Sequence, residues 1–375
     1  AGMSATVRAV ALAALAENGK INKDDLQRYQ KHVAQMSLFG KTHFMQAALK
    51  VDGADDMARS VADLILSASN QTGGKLSTTG NLSVNQLEGP IQLGDLTVGG
   101  TMTVKTNGAV SQLANTAIVA TGATSVDAGA NDVTLANANN DFNSIAITAK
   151  SASIADKNAV ALDNIKATAL NVKAGGAVTQ VADKAIEVTG ATSVDAGAND
   201  VSLANANNDF GSVAITAKSA SVTDKNAVAL DNIKATSLNV KAAGAVTQVA
   251  DKAIEVTGAT TVDAGTNAVT LDNANNDFGS VGVTAGAASI VDKNAVAIDS
   301  VKATSLNVRA GGAVTQVADK VIEVTGTTTV DAGTNTVSLA NAGNDFNTLT
   351  MTAGAASIAD KNAVALDNIK ATSLA

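Results

Sequence analysis

The chain has no cysteine, no tryptophan and one proline among its 375 residues, and Tyr29 is its only tyrosine. Absence of cysteine excludes disulfide staples, thiol catalysis and cysteine-ligated zinc together, and is compatible with an oxidising exterior. Aromatic residues make up 2% of the chain, too few for the platforms on which ligand clefts, sugar sites and interface hot spots usually rely. Positive charge is also sparse. There are 26 Lys and Arg against 34 Asp and Glu, a net charge of -8, and the arginines are Arg8, Arg28, Arg59 and Arg309 alone. A nucleic-acid partner needs a clustered basic surface to displace counterions, so none is expected. No apolar run reaches the ~18 residues needed to cross a bilayer, and no membrane span is expected either. With 46% hydrophobic residues the chain is still rich enough to fold.

What is present is an internal repeat. Asp-Phe recurs at Asp141-Phe142, Asp209-Phe210, Asp277-Phe278 and Asp345-Phe346, each time 68 residues on. Asp-Lys-Asn-Ala-Val keeps the same step, beginning at Asp156, Asp224, Asp292 and Asp360. Units this similar, without insertions, must stack in one fixed geometry. Within a unit, short strands recur around Val172, Val194, Ile215, Val240 and Val262, at intervals suited to the coils of a parallel β-solenoid, three coils to the unit. Apolar and polar residues alternate in Val201-Ser202-Leu203 and Ile254-Glu255-Val256, the period of two of a strand with one buried face. Runs of Gly, Asn and Asp, as in Ala196-Gly197-Ala198-Asn199-Asp200, supply the corners. The expected fold is mainly β: a parallel β-solenoid (β-helix) of 68-residue, three-coil repeats with a small N-terminal α-helical domain.

Aligning the strands sets a side-chain register. Lys105 falls beside Asp127, Lys173 beside Asp195, Lys241 beside Asp263 and Arg309 beside Asp331, four inter-coil charge pairs expected on a solvated face. Their role is to help fix register rather than to catalyse. Phe142, Phe210, Phe278 and Phe346, one per unit, are expected in the structural core.

Residues 1–72 have a helical period instead. Ser4 is placed to cap a first helix closed by Gly19. Asn22 with Asp25 forms a capping box for a second, whose Leu26, Tyr29, Val33 and Met36 share a face and whose end is expected at Gly40. A third is expected over 42–50. A fourth, after Asp52, carries the stripe Met57, Val61, Leu64 and Ile65. This domain is expected to cap the solenoid or anchor it, followed by divergent first coils over 73–125 and near-identical repeats over 126–375. The segment from Asn18 to Leu26 resembles half of an EF-hand loop, but Ala14 and Ala16 stand where oxygen ligands are needed. His32 and His43 lack metal-ligand spacing. No cofactor, metal or catalytic residue is expected.

The units of the form Gly-Gly-Ala-Val-Thr-Gln (175–180 and 311–316), Val-Thr-Gly, Val-Asp-Ala-Gly and Asn-Asn-Asp-Phe resemble the haemagglutinin-type β-helical repeats of large bacterial surface adhesins and biofilm-matrix proteins. The resemblance covers 79–375. It implies an extracellular or cell-surface structural protein, a rigid stalk or fibre subunit, with self-association and a surface or matrix polysaccharide as partners. The helical beginning differs from the β-rich secretion domain of two-partner export. A carbohydrate-active β-helix enzyme is the contrasting class, but its carboxylates must converge, whereas equivalents such as Asp195 and Asp263 stand three expected coils, about 14 Å, apart. An ice-binding solenoid needs a Thr-x-Thr row, and Thr101-Met102-Thr103 and Thr350-Met351-Thr352 are isolated. At the far end, Ile369 and Leu374 mark a coil with no capping sequence after it, expected either to continue in a longer chain or to stack head to tail on a neighbour.

Overall fold

The computed structural model describes residues 2–72, 75–86 and 89–375. Contacts divide the chain into two units, residues 1–157 and 158–375. The first begins with four α-helices. Helix α1 (Gly2–Glu17) closes on Gly19, whose φ of 62° lets its N–H reach Ala16 O while Lys20 N–H reaches Leu15 O. Helix α2 (Lys23–Gln30) starts with a capping box: Asn22 Oδ1 accepts from Asp25 N at 3.2 Å and Asp25 Oδ2 from Asn22 N at 3.1 Å.

Helix α2 ends at Gln30, well before Gly40. A 3-10 turn (Val33–Gln35) follows, and Gly40 instead lies in the first turn of α3 (Leu38–Leu49). Two local causes account for this. The Ser37 hydroxyl accepts from Gly40 N at 3.2 Å and so caps a new helix. A Cβ on Gly40 would meet Thr6 of α1 at 2.8 Å, so this glycine serves a helix crossing, not a helix end. Helix α4 (Asp55–Thr72) buries Met57, Val61 and Ile65 and opens on Asp55 and Asp56, whose charge suits its N-terminus. Helix α1 is already under way at Gly2, so Ser4 stands within its first turn and is not the N-cap; the side chains of Ser4 and Leu64 lie outside the described residues. Leu26, Phe44, Ala9 and Ala54 are fully buried in the helical core, and Leu76 of the first strand packs against that core.

The solenoid of this unit is under way at once. Lys75–Thr78 pairs with Asp95–Val98, Leu82–Gln86 with Met102–Thr106, and Ile91–Leu93 with Val110–Gln112, all parallel. Each coil thus contributes to three ladders. Aliphatic residues predominate on the inward parity and polar ones on the outward, so burial alternates as buried, exposed, buried, exposed, buried in Met102–Thr106, where Thr106 is an inward polar exception. Helix α4 lies against these first strands.

The second unit repeats the scheme with one correction to the expected coil count. Val172 pairs with Val194 and Val194 with Ile215, as the alternation predicts, but Ile215 pairs with Ile233 and not with Val240. Three ladder steps therefore advance 61 residues, from Val172 to Ile233, against a repeat of 68. A repeat holds more than three coils. Val240 belongs to the next strand round the coil, Ser237–Ala242, and stacks on Val222 and Val262. The physical reason is the tight corner at Ala217-Lys218, which joins Asp209–Thr216 to Ser219–Asp224 and makes one coil shorter than its neighbours. Equivalent residues of successive repeats consequently point to different sides.

One strand in each repeat, Ile186–Asp195, carries a register shift between Val188 and Ala191. Gly190 sits at the shift, and a Cβ there would stand 2.7 Å from Thr168 O of the preceding coil, so only glycine permits the approach. Nearby, Asp183, Asp251 and Asp319 hold left-handed backbone at φ 62°, 60° and 60° on the exposed corner. Replacing all three by glycine should raise stability by about 1 to 2 kcal/mol, since glycine adopts this region without the Cβ clash. Chemical denaturation checks it; a lower midpoint would mean that the carboxylates hold the corner by contacts of their own.

Candidate functional site

The two sequence signals that define the repeat meet in space. Phe210 N donates to Asp224 Oδ2 at 2.6 Å, and Asn226 N donates to Asp224 Oδ1 at 2.7 Å. Asp209 pairs with Lys225 at 3.1 Å and accepts from Asn226 Nδ2 at 3.1 Å. Asp-Phe and Asp-Lys-Asn are thus two jaws of one clamp. It recurs at Asp277–Lys293 and Asp345–Lys361, at 3.0 and 2.9 Å, and in the first unit at Asp141–Lys157, at 2.8 Å. The jaws differ electrostatically. The Lys225 ammonium, with the Asn226 amide second, holds Asp209 below the usual carboxylate range, whereas burial pushes Asp224 up against the pull of its two N–H donors. Asp277 and Asp292 repeat that contrast. The surface ion pair adds no more than about 1 kcal/mol, so the clamp depends chiefly on the buried carboxylate and its backbone donors.

A second polar device lies deeper. Asn208, fully buried, accepts from Gln180 Nε2 at 2.6 Å and Ile186 N at 3.0 Å, and donates to Gln180 Oε1 at 3.0 Å and Leu203 O at 3.1 Å. Every donor and acceptor of that amide is satisfied. The same box joins Asn140 with Gln112, Asn276 with Gln248 and Asn344 with Gln316. Among the described residues, the buried side-chain polar atoms left without a partner are Oγ1 of Thr124, Thr192, Thr260 and Thr328. Thr192 packs in register between Leu170 and Val213. Thr192→Val keeps its shape and removes the orphan hydroxyl, and should stabilise by about 1 kcal/mol. Thermal melting decides it, and a loss of stability would reveal a partner for the hydroxyl.

The residues singled out by sequence fall as follows. Lys105–Asp127 and Lys173–Asp195 form ion pairs at 3.4 and 4.0 Å. Lys241 and Asp263, and Arg309 and Asp331, are register partners on adjacent coils. All four aspartates also build the corner that follows them, because their Oδ1 atoms accept from Gly129, Gly197, Gly265 and Gly333 N at 3.0 to 3.1 Å. Phe142, Phe210, Phe278 and Phe346 are each at most 1% exposed, directly beside the clamp that binds their N–H groups. Ile369 is half-buried and pairs with Met351, and Leu374 is exposed and pairs with Ala356. His43 stacks on Phe39 and hydrogen-bonds its carbonyl; His32 precedes the 3-10 turn.

Among the described residues no group of three His, Asp or Glu side chains has metal-binding geometry, and no helix is long and apolar enough to cross a membrane. A groove of about 490 Å³ runs between α3, α4 and the first strands, lined by Met45, Leu49, Ile65 and Leu82 with Arg59 at its side.

The repeats match a known sequence family. A family model described as "Repeats of unknown function (DUF5649)" matches residues 79–149, 149–217, 217–285 and 285–353. The chain belongs to this family. Comparison with curated proteins and with solved structures finds no match. Placed on the DUF5649 repeats, the two polar devices separate cleanly. Gln180 and Asn208 both lie inside one repeat, whereas the clamp has Asp209 and Phe210 in that repeat and Asp224 and Lys225 in the next. The box braces a repeat internally; the clamp fastens it to its successor.

Proposed function

We propose that the protein is an extracellular structural element, a stiff β-solenoid stalk or fibre subunit of a bacterial surface adhesin or biofilm matrix, without catalytic activity. The clamp across each repeat boundary carries this reading. It joins each of the first three DUF5649 repeats to the next through the same buried carboxylate, Asp156, Asp224 or Asp292, and the same ion pair. Copying a repeat copies its own fastening, so chain length sets reach without redesign of the joint. The ladder register supports the same role from another side. Because 68 residues exceed three coils, a motif repeated in the second unit turns to a new face each time. A one-sided row of identical binding sites is not what such a sequence builds, and a spacer is. Self-association and a matrix polysaccharide are the partners this role implies.

The test is topological. Antibodies raised against one repeat should label intact cells of the producing bacterium. Labelling that requires permeabilised cells would overturn the surface assignment while leaving the solenoid untouched.

A further inference from the structure

Among the described residues the strand Leu82–Gln86 is paired along one edge only, with Met102–Thr106. Leu82 N–H donates to Thr101 O at 2.9 Å. Backbone groups alternate in direction along a strand, so Leu82 and Val84 turn theirs to that ladder, and Ser83 and Asn85 turn theirs the other way. Both residues are exposed, and no hydrogen bond among the described residues reaches the backbone of either. Helix α4 lies against the strand but cannot complete it, because the N–H and C=O groups of a helix interior are used within its own turns. The groove of about 490 Å³ opens at this edge, lined by Leu82 and Ser83 together with Met45, Leu49 and Ile65 of the helices.

The later repeats identify what belongs on such an edge. Leu82–Gln86 precedes Met102–Thr106 in its ladder as Ser219–Asp224 precedes Ser237–Ala242, with Leu82 against Met102 where Ala220 stands against Leu238. The other edge of Ser219–Asp224 carries Val201-Ser202-Leu203, parallel, with Val201 against Ala220 and Leu203 against Val222. Val133-Thr134-Leu135, Val269-Thr270-Leu271 and Val337-Ser338-Leu339 fill the same place in the other repeats. The natural complement of this edge is therefore a short parallel strand of aliphatic, hydroxyl and aliphatic residues, and Leu82–Gln86 has none among the described residues. A second folded copy cannot supply it, because each of these strands is already paired on both edges, Val201–Leu203 with Val178–Gln180 as well as with Ser219–Asp224. We propose that the edge of Leu82–Gln86 is a docking site for an extended segment of another protein, which adds as a parallel strand of the form aliphatic-Ser/Thr-aliphatic. Its first aliphatic side chain lies in the groove against Leu82, its backbone is taken up by the N–H and C=O of Ser83 and the N–H of Asn85, and the alternation of its residues sets the selectivity. This inference is independent of the extracellular role.

Fluorescence anisotropy of the full chain with a labelled peptide Asn-Asp-Val-Ser-Leu-Ala-Asn, the sequence of residues 199–205, tests it. Saturable one-to-one binding is expected. In the parallel register the leucine N–H of the peptide donates to Ser83 O, whereas its serine N–H points away from the protein. N-methylation of that leucine should weaken binding roughly tenfold or more, and N-methylation of the serine should leave it within about twofold. Ser83→Pro removes an N–H that the free protein does not use, at an edge position where proline is tolerated, and should abolish binding with melting unchanged. The two N-methyl peptides give the same reading on the wild type, whatever the proline does to the fold. No saturation at millimolar peptide overturns the proposal, as does equal loss from both N-methyl peptides or from neither. Self-association of the wild type that the peptide displaces would place a second copy on the edge, and saturable binding of decanoate without binding of the peptide would make the groove a site for an apolar small molecule; each overturns it equally.

Discussion

Phe210→Asp should unfold the coils around residue 210, at a cost above about 5 kcal/mol, whereas Asp195→Ala should cost about 1 kcal/mol. The aromatic ring is 1% exposed and stacks in register on Val188. Truncating a buried phenylalanine already costs roughly 3 to 5 kcal/mol. An aspartate there would add a second carboxylate beside Asp224, which burial already pushes toward its neutral form. The clamp's cation, Lys225, is engaged by Asp209 at the surface. Asp195, by contrast, has about half of its side chain in solvent, and its 4.0 Å pair with the exposed Lys173 is at the surface, where such pairs contribute little. What Asp195→Ala removes is chiefly the corner hydrogen bond to Gly197 N. Because solenoid repeats are coupled mainly to their neighbours, unfolding need not be global. Hydrogen exchange should therefore show lost protection in the strands Ile186–Asp195, Asp209–Thr216 and Val228–Ala235, while strands two repeats away keep theirs. Equal effects of the two substitutions would reverse the assignment of inside and outside.

Much of the architecture can be read from single residues. The step from Val172 to Val194, and with it Lys173 beside Asp195, follows from alternation alone, because a slip of one residue would turn every aliphatic side chain outward. The Asn22–Asp25 capping box is equally plain in the sequence. The coil count is not. Val240 follows the same kind of residues as Val172, but similarity of local sequence identifies a strand type and says nothing of its place round the coil. That place depends on corner lengths, and the two-residue corner at Ala217-Lys218 breaks the spacing. Gly40 misleads for a related reason: a glycine that ends a helix and one that admits a neighbouring helix look alike until Thr6 is in place.

The polar interior is the least legible part. Asn208 and Asp224 sit in Asn- and Asp-rich stretches that suit exposed corners, and their burial depends on residues 28 and 14 positions away. One signal is present. In Val178-Thr179-Gln180 the period of two places Gln180 on the same side as the buried Val178. An inward glutamine must find a partner, and the adjacent coil has to supply it.

That partnership sets the second large effect. Asn208→Ala should cost about 3 to 5 kcal/mol, more than Gln180→Ala, even though the two amides bond to each other. Asn208 is fully buried and also serves the backbone, so its loss strands Ile186 N–H and Leu203 C=O with no water at hand. Gln180 is only half-buried, and its other contacts, from Asn205 N at 3.2 Å and to Lys184 O at 3.0 Å, lie where solvent can replace it. Each single truncation leaves the opposite amide half-satisfied; the double truncation does not incur that penalty twice. The cost of Gln180→Ala with Asn208→Ala should accordingly fall short of the sum of the two by about 1 kcal/mol or more. The measurement is a double-mutant cycle by denaturation, with exchange of the Ile186 amide as the local reading. If Asn208→Ala costs under about 1 kcal/mol and the Ile186 amide stays protected, the box is incidental, and packing of the aliphatic stacks alone holds each repeat together.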